Sequence, residues 1–263
     1  MSRVCALILL LFAYSARSAV PDPIMKGLLP GTITFIGESH QHAESAELVR
    51  DLVSGHIKQG QCLIVALEIA DNQQPALDRA LLSGAAVSSV QIPASIDHPA
   101  MWNLIEHLAT LTTQSACLNV VAIDAGPHNP RDRDEWMAER LAGLVGDSPA
   151  LVLIGALQTL KKVNWLTKSG RPSVAERLAA RGFQVRSFPR RWLPEQCING
   201  KHRHQHFVNP DSEEALTILN ESLMALINAK PQQSAQGVVD GSVVWECDNP
   251  SLASRFRPDI VSL

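Results

Sequence analysis

The chain has 263 residues, enough for one domain with a sizeable buried core. Its apolar fraction of 46% and charged fraction of 19% are ordinary globular values, which excludes a disordered chain and a multi-pass membrane protein. Net charge is −3 and no long basic run occurs, so nucleic acid is not an expected partner.

The first residues read as a secretory signal. Arg3 is a thin basic start, and residues 4–13 are a continuous apolar run too short to span a bilayer. Small residues Ala16 and Ser18 then stand where a signal peptidase needs them, so residues 1–18 are expected to leave and Ala19 to begin the mature chain. An uncleaved anchor is the alternative. Cleavage predicts a periplasmic or secreted protein with no stable membrane anchor. It also removes Cys5, leaving Cys62, Cys117, Cys197 and Cys247. An even number of cysteines in an oxidising compartment permits disulfides. Cys62 and Cys117 open apolar runs and read as buried thiols, whereas Cys197 and Cys247 lie in polar surroundings and are the expected bridge.

Further along, two periodicities alternate. Short apolar, β-branched runs at 32–36, 62–67, 119–123, 150–154 and 183–188 predict strands. Between them, Ala46, Val49, Val53 and Ile57 recur at helical spacing, and so do Met137, Leu141, Leu144 and Val145. Asp132 with Glu135 reads as a capping pair, and Ser173 as the start of a short helix that Gly182 ends. Residues 83–101 are rich in Ala, Ser and Pro and read as an insertion or lid before a helix at about 102–113. This order predicts an α/β fold with a mainly parallel sheet flanked by helices. After residue 188 the alternation stops. A polar strip carries His202, His204 and His206, a helix is predicted over 212–229, and a hairpin over 237–245 turns at Asp240-Gly241 between Val238-Val239 and Val243-Val244. The expected organisation is a single domain over 19–263, with a core at about 30–190 and a C-terminal helix-and-hairpin extension at about 191–263.

The chemistry gathers after the strands. The first runs into Gly37-Glu38-Ser39-His40, the second into Glu68, the third into Asp124 with His128 beyond, the fourth into Gly155-Ala156-Leu157-Gln158, and the fifth into Arg190 and Arg191. In a parallel sheet these places share the carboxyl edge, where open α/β folds bind ligands. A carboxylate directly after a buried strand is costly unless it is paired. Glu38, His40 and Glu68 are therefore the candidate catalytic or metal-ligating set. Asp124, His128, Gln158 and Arg190 are candidate contacts to a bound cofactor. Structural roles compete with each: Glu38 as a helix-start acid, His40 as scaffold, Glu68 paired with Arg190 or Arg191, Asp124 as turn chemistry. The histidine strip has the period of a metal-binding strand but reads as an exposed loop. His56 and His107 read as helix residues facing solvent or a side-chain partner.

Four blocks of the sequence resemble a known superfamily. Phe35-Ile36-Gly37-Glu38-Ser39-His40 resembles its opening Gly-Glu-x-His, and Ala66-Leu67-Glu68 with Gln74 and Leu77-Asp78 resembles its second block. Arg133-Asp134 with Met137-Ala138 resembles the third, and Leu153-Ile154-Gly155-Ala156 the fourth. The superfamily groups ChaN-like haem-binding proteins, Tiki and TraB-type proteins and erythromycin-esterase-like enzymes, and the second block is most similar to the ChaN-like branch. The resemblance implies an α/β fold with a site at Glu38, His40 and Glu68. It implies haem or a divalent metal ion as cofactor in some branches and ester hydrolysis with a histidine base in others. Two departures stand out. Gln158 occupies the place where the fourth block usually ends in histidine, and the only tyrosine, Tyr14, lies in the signal, so no mature tyrosine could hold haem iron. The reading is an exported ChaN-like domain that binds a small ligand, haem or a metal ion at the strand-end crevice. The first alternative is a hydrolase with His40 as general base and Glu38 and Glu68 as orienting carboxylates. The second is a degenerate interaction protein.

Overall fold

A computed structural model describes residues 20–83, 87–166, 170–192, 203–226 and 228–247, with the backbone alone for Ser83, Arg191, Trp192, Arg203, His204 and Cys247. The predicted signal and Cys197 lie outside these residues, so the expected bridge to Cys247 does too.

After a short helix α1 (Asp22–Met25) the chain alternates: β1 (Thr32–Glu38), α2 (Glu44–Lys58), β2 (Leu63–Ala70), α3 (Gln74–Ser83), α4 (Pro99–Gln114), β3 (Leu118–Asp124), α5 (Arg133–Leu144), β4 (Ala150–Gly155), α6 (Val174–Ala180) and β5 (Gln184–Phe188). The five strands form one sheet, all neighbours parallel, in the order β3-β2-β4-β1-β5. That is the expected architecture. The apolar strand runs follow from it, because helices cover both faces. Ile36, Val65, Leu67, Leu151 and Leu153 pack with α2, α3 and α4 on one face. Ile33, Phe35, Ala66, Ile123, Val152 and Ile154 pack with α5 and α6 on the other. Buried on both sides, such strands are apolar throughout rather than alternating.

The helix signals hold locally. Asp132 caps α5 by accepting from Glu135 N at 2.9 Å, and Ser173 caps α6 by accepting from Glu176 N at 3.0 Å. Gly182, at φ 86°, ends the turn after α6. The Glu135 side chain does not close a capping box; it pairs with Arg177 and Arg181.

Beyond β5 the chain builds β6 (Arg190–Trp192), β7 (Arg203–Val208), α7 (Glu213–Leu223) and β8 (Ser242–Cys247). The extension has the expected helix and antiparallel pair, but with a different partner. Strand β8 pairs antiparallel with β7 and parallel with β6, not with Val238-Val239. Those two valines instead pack with Ile218, Leu219 and Val244 in a small core under α7. His202 of the strip expected as a loop lies outside the described residues, and residues 203–206 are part of β7, where His206 Nε2 lies 3.1 Å from Glu214 Oε1. No helix among the described residues is long and apolar enough to cross a membrane.

Cys62 and Cys117 are not free thiols: they form a disulfide, with Cα atoms 4.4 Å apart. They precede β2 and β3, which are paired neighbours, so their Cα atoms are brought together by the sheet itself. His56, expected to face solvent or a side chain, is buried beside them, its Nε2 3.3 Å from the Cys62 carbonyl oxygen. The bridge spans a sequence separation of 55. Closing a loop of that size removes unfolded-state freedom worth about 4 kcal/mol in the chain-entropy account. Reduction, or Cys62→Ser with Cys117→Ser, should lower the unfolding temperature by several degrees. Equal melting with and without reductant, with both thiols open to alkylation beforehand, would remove this staple.

Candidate functional site

The carboxyl edge is assembled by strand order. Because β4 lies between β1 and β2, Gly155 at its end separates Glu38 from Glu68. The strands carrying the two carboxylates are therefore not adjacent, as sequence order suggested. Gly37 brings Glu38 close to the neighbouring strand end: a Cβ there would sit 2.8 Å from Ala156 Cα and 2.9 Å from Pro189 Cα, so no larger residue fits. On β2 the register against β3 shifts between Leu67 and Ala70. The irregularity spans Glu68 and Ile69, and bulges re-aim side chains beside functional sites.

Three carboxylates are buried at this edge: Glu38, Glu68 and Asp124. Arg133, at the start of α5, compensates two of them. Its Nε donates to Asp124 Oδ1 at 2.6 Å, one Nη donates to Asp124 Oδ2 at 2.8 Å, and the same nitrogen donates to Glu68 Oε1. Glu68 Oε2 accepts from Gly155 N at 2.8 Å. Both oxygens of Glu68 are thus committed to structure. The two carboxylates hold the Arg133 guanidinium charged at any ordinary pH.

Glu38 has a different partner. Its Oε1 lies 2.9 Å from His40 Nδ1, with the carboxylate side chain 2% exposed and the imidazole 50% exposed. Burial pushes the Glu38 carboxyl up to about 7; the hydrogen bond to His40 opposes this, the nearby Glu68 charge adds to it, and Arg190 pulls it down. With Glu38 ionised the bond requires Nδ1–H, which leaves Nε2 as the unprotonated nitrogen at the open side. The next residue, Gln41, adopts a left-handed φ of 67°. Its side chain donates to the carbonyls of Ala94 and Ser95 at 2.7 and 3.1 Å, tying the loop to the insertion that follows α3.

Other expected contacts are distributed unevenly. Gln158 sits on the turn after β4 and donates from Nε2 to Asp134 Oδ1 at 2.9 Å. Asp124 is a structural partner of Arg133. Arg190 does not reach Glu68; it donates to Glu44 Oε2 at 2.6 Å, both side chains almost fully buried, and borders Glu38 only through its charge. His128 is exposed on the loop after β3, outside this hydrogen-bonded set. Glu38, His40 and Glu68 meet around Gly155 but do not form a metal-ligand group: among the described residues no three His, Cys, Asp or Glu side chains are placed to hold a metal ion. The physical reason is that Arg133 and a backbone N–H occupy Glu68. The residues present thus do not fit a metal centre. For haem they offer one half-exposed imidazole at this edge.

The residues missed by the sequence reading are Arg133, Asp134 and Glu44. The first two were visible as an Arg-Asp pair opening a helix. The signal that could have assigned Arg133 was the shortage of cations near three strand-end acids. Cavities among the described residues also open elsewhere, such as one of about 690 Å³ between α2 and α4 and one of about 580 Å³ at the opposite sheet edge beside Cys62. The first includes Ser54 and His107, whose Oγ and Nε2 are 2.7 Å apart, so His107 has the side-chain partner expected for it.

No protein-family model matches the sequence, and no curated protein is found similar to it. Solved structures do superpose. A mutant of the erythromycin esterase EreC in its open conformation matches 87% of this chain and 93% of its own, at 12% identity and TM-score 0.58. The chain has the erythromycin-esterase fold. A protein from Bacillus cereus matches 85% of this chain and 89% of its own, at 12% identity and TM-score 0.59. ChaN of Campylobacter jejuni, described with cofacial haem binding, matches 65% of this chain and 85% of its own at 14% identity, but its TM-score of 0.46 carries no argument. Identities this low speak for the fold alone, which is the one the four sequence blocks implied.

Two measurements test the electrostatics. Replacing Arg133 with Met strands two buried carboxylates and should cost on the order of 3 kcal/mol of stability; an unchanged unfolding free energy would mean that the clamp is not formed. The Glu38 proton gives the second. A folded-state value near 7, raised above the ordinary 4.5, means that the native state keeps a proton the unfolded chain releases. Its contribution to stability is therefore fully present below about 4.5 and declines as pH rises to about 7. Glu38→Gln should flatten that decline in denaturant melts taken across this window. A slope unchanged by the substitution contradicts the raised value.

Proposed function

We propose that the chain is a hydrolase acting on a small ester-type substrate at the strand-end crevice, with His40 as general base. The observation that carries this reading is the hydrogen bond between buried Glu38 and half-exposed His40. A carboxylate at Nδ1 fixes the ring orientation and leaves Nε2 able to take a proton from water. When it does, the positive ring faces Glu38, whose burial makes that charge welcome. Glu68 is a support here rather than a substrate contact, since it anchors Gly155 and Arg133. The fold shared with an erythromycin esterase is consistent with this chemistry. The proposal includes export to the periplasm or beyond, which the apolar start of the sequence and the Cys62–Cys117 bridge support.

A second reading, a haem-binding domain of ChaN type, is supported by the half-exposed imidazole of His40, which could ligate iron. One pair of assays separates the two. On a panel of p-nitrophenyl and alkyl esters, His40→Ala should lower turnover by roughly 10²-fold or more with the unfolding temperature kept. Equal turnover in both proteins rejects the general-base role. Absent turnover, together with a haem absorbance band that His40→Ala abolishes, selects the binding reading.

A further inference from the structure

Gly155 is a glycine for which the backbone gives no reason. Its φ and ψ of −53° and 139° suit any residue. Its N–H is committed to Glu68 Oε2. The lack of a side chain is what distinguishes it. A Cβ at this position would lie 3.0 Å from Gln158 Oε1 and 3.8 Å from His40 Cε1, the ring carbon between Nδ1 and Nε2. The glycine thus lets the Gln158 amide oxygen and the His40 ring come close over one backbone position, a notch where a side chain would crowd the amide.

The orientation of that amide is set from behind. Gln158 Nε2 donates to Asp134 Oδ1 at 2.9 Å. An ionised carboxylate can only accept, so the amide nitrogen must face Asp134 and the oxygen must face the notch. One acceptor and one basic nitrogen on neighbouring side chains suit a bridging water molecule, which offers a hydrogen to each.

We propose that the notch at Gly155 seats the attacking water, with Gln158 Oε1 accepting one of its hydrogens and His40 Nε2 the other. This rests on the hydrolase reading. In the step, a lone pair of the water oxygen forms the bond to the substrate carbonyl carbon while one water proton passes to Nε2. The carbonyl π pair moves to its oxygen. When that intermediate collapses, the proton on Nε2 goes to the departing alkoxide. Gln158 gains and loses no proton; it fixes where the oxygen lone pair points. Asp134 is a positioning residue that acts through Gln158.

The test uses the whole exported chain. Gly155→Ala fits the backbone, and its methyl group fills the notch and presses on the end of the Gln158 side chain, which can give by a few tenths of an ångström. It should lower kcat by roughly 10²-fold, as a misplaced reactant does, with KM within about twofold and the melting temperature kept. Asp134→Asn frees the amide to turn over and should lower kcat by about tenfold, again without moving KM. High-resolution crystal structures give a readout independent of turnover. The wild type should show an ordered water within hydrogen-bond distance of both Gln158 Oε1 and His40 Nε2, and Gly155→Ala should lack it. Full kcat in folded Gly155→Ala overturns the proposal, and so does a wild-type notch without that water. If no ester is turned over but the bridging water is present, the notch stands and the hydrolase reading falls. If turnover depends on His40 but no water bridges the two atoms, the reading stands and the notch falls.

Discussion

Three carboxylates end three parallel strands within one buried edge, and their mutual repulsion has to be met by whatever cations and donors lie within reach. Arg133 meets two of them with one planar guanidinium, which suits carboxylate geometry better than a point charge would. Glu38 is left to the imidazole of His40. This division gives the edge its chemistry. Glu68 and Asp124 are neutralised and become scaffold, while Glu38 keeps a proton affinity near neutrality and is hydrogen-bonded to a half-exposed ring. A second buried pair, Arg190 with Glu44, lies at the start of β6 and α2, and the Arg190 charge acts on Glu38 from nearby.

The fold supplies positions rather than reactivity. Placing β4 between β1 and β2 puts a glycine between the two glutamates, and the bulge on β2 turns Glu68 toward it. Gly37 allows the strand ends to close up to 2.8 Å of a hypothetical Cβ, so the Gly-Glu pair is a packing requirement as well as a signature. Under the proposed reading, catalysis at His40 then depends on Glu38, two residues before it, and on residues of β2, β4 and α5 that are far from it in sequence.

Much of the fold was legible in the sequence because buried parallel strands are written as apolar runs, and helix starts as Asp132 and Ser173. The strand-end residues followed from the same pattern. What could not be read was lateral order. Sequence suggests that consecutive strands are neighbours, and only packing places β4 between β1 and β2. The pairing of Cys62 with Cys117 was hidden for the same reason, since it depends on β2 and β3 lying side by side. The hairpin expected at Asp240-Gly241 obeyed a local turn rule, but β8 found better partners in β6 and β7, leaving Val238 and Val239 to fill a core. Arg133 was visible as a motif residue, but its role needed the positions of two acids far from it in sequence.

The central claim is that Glu38 holds His40 with Nδ1 protonated and Nε2 free to act as base. Nitrogen-15 NMR of the histidine ring measures this directly at about pH 8, above the Glu38 value of about 7. The account predicts a His40 spectrum with a protonated Nδ1 and an unprotonated Nε2, lost as a preference in Glu38→Gln. A His40 ring found mainly with the proton on Nε2, or with the same tautomer in both proteins, would contradict it.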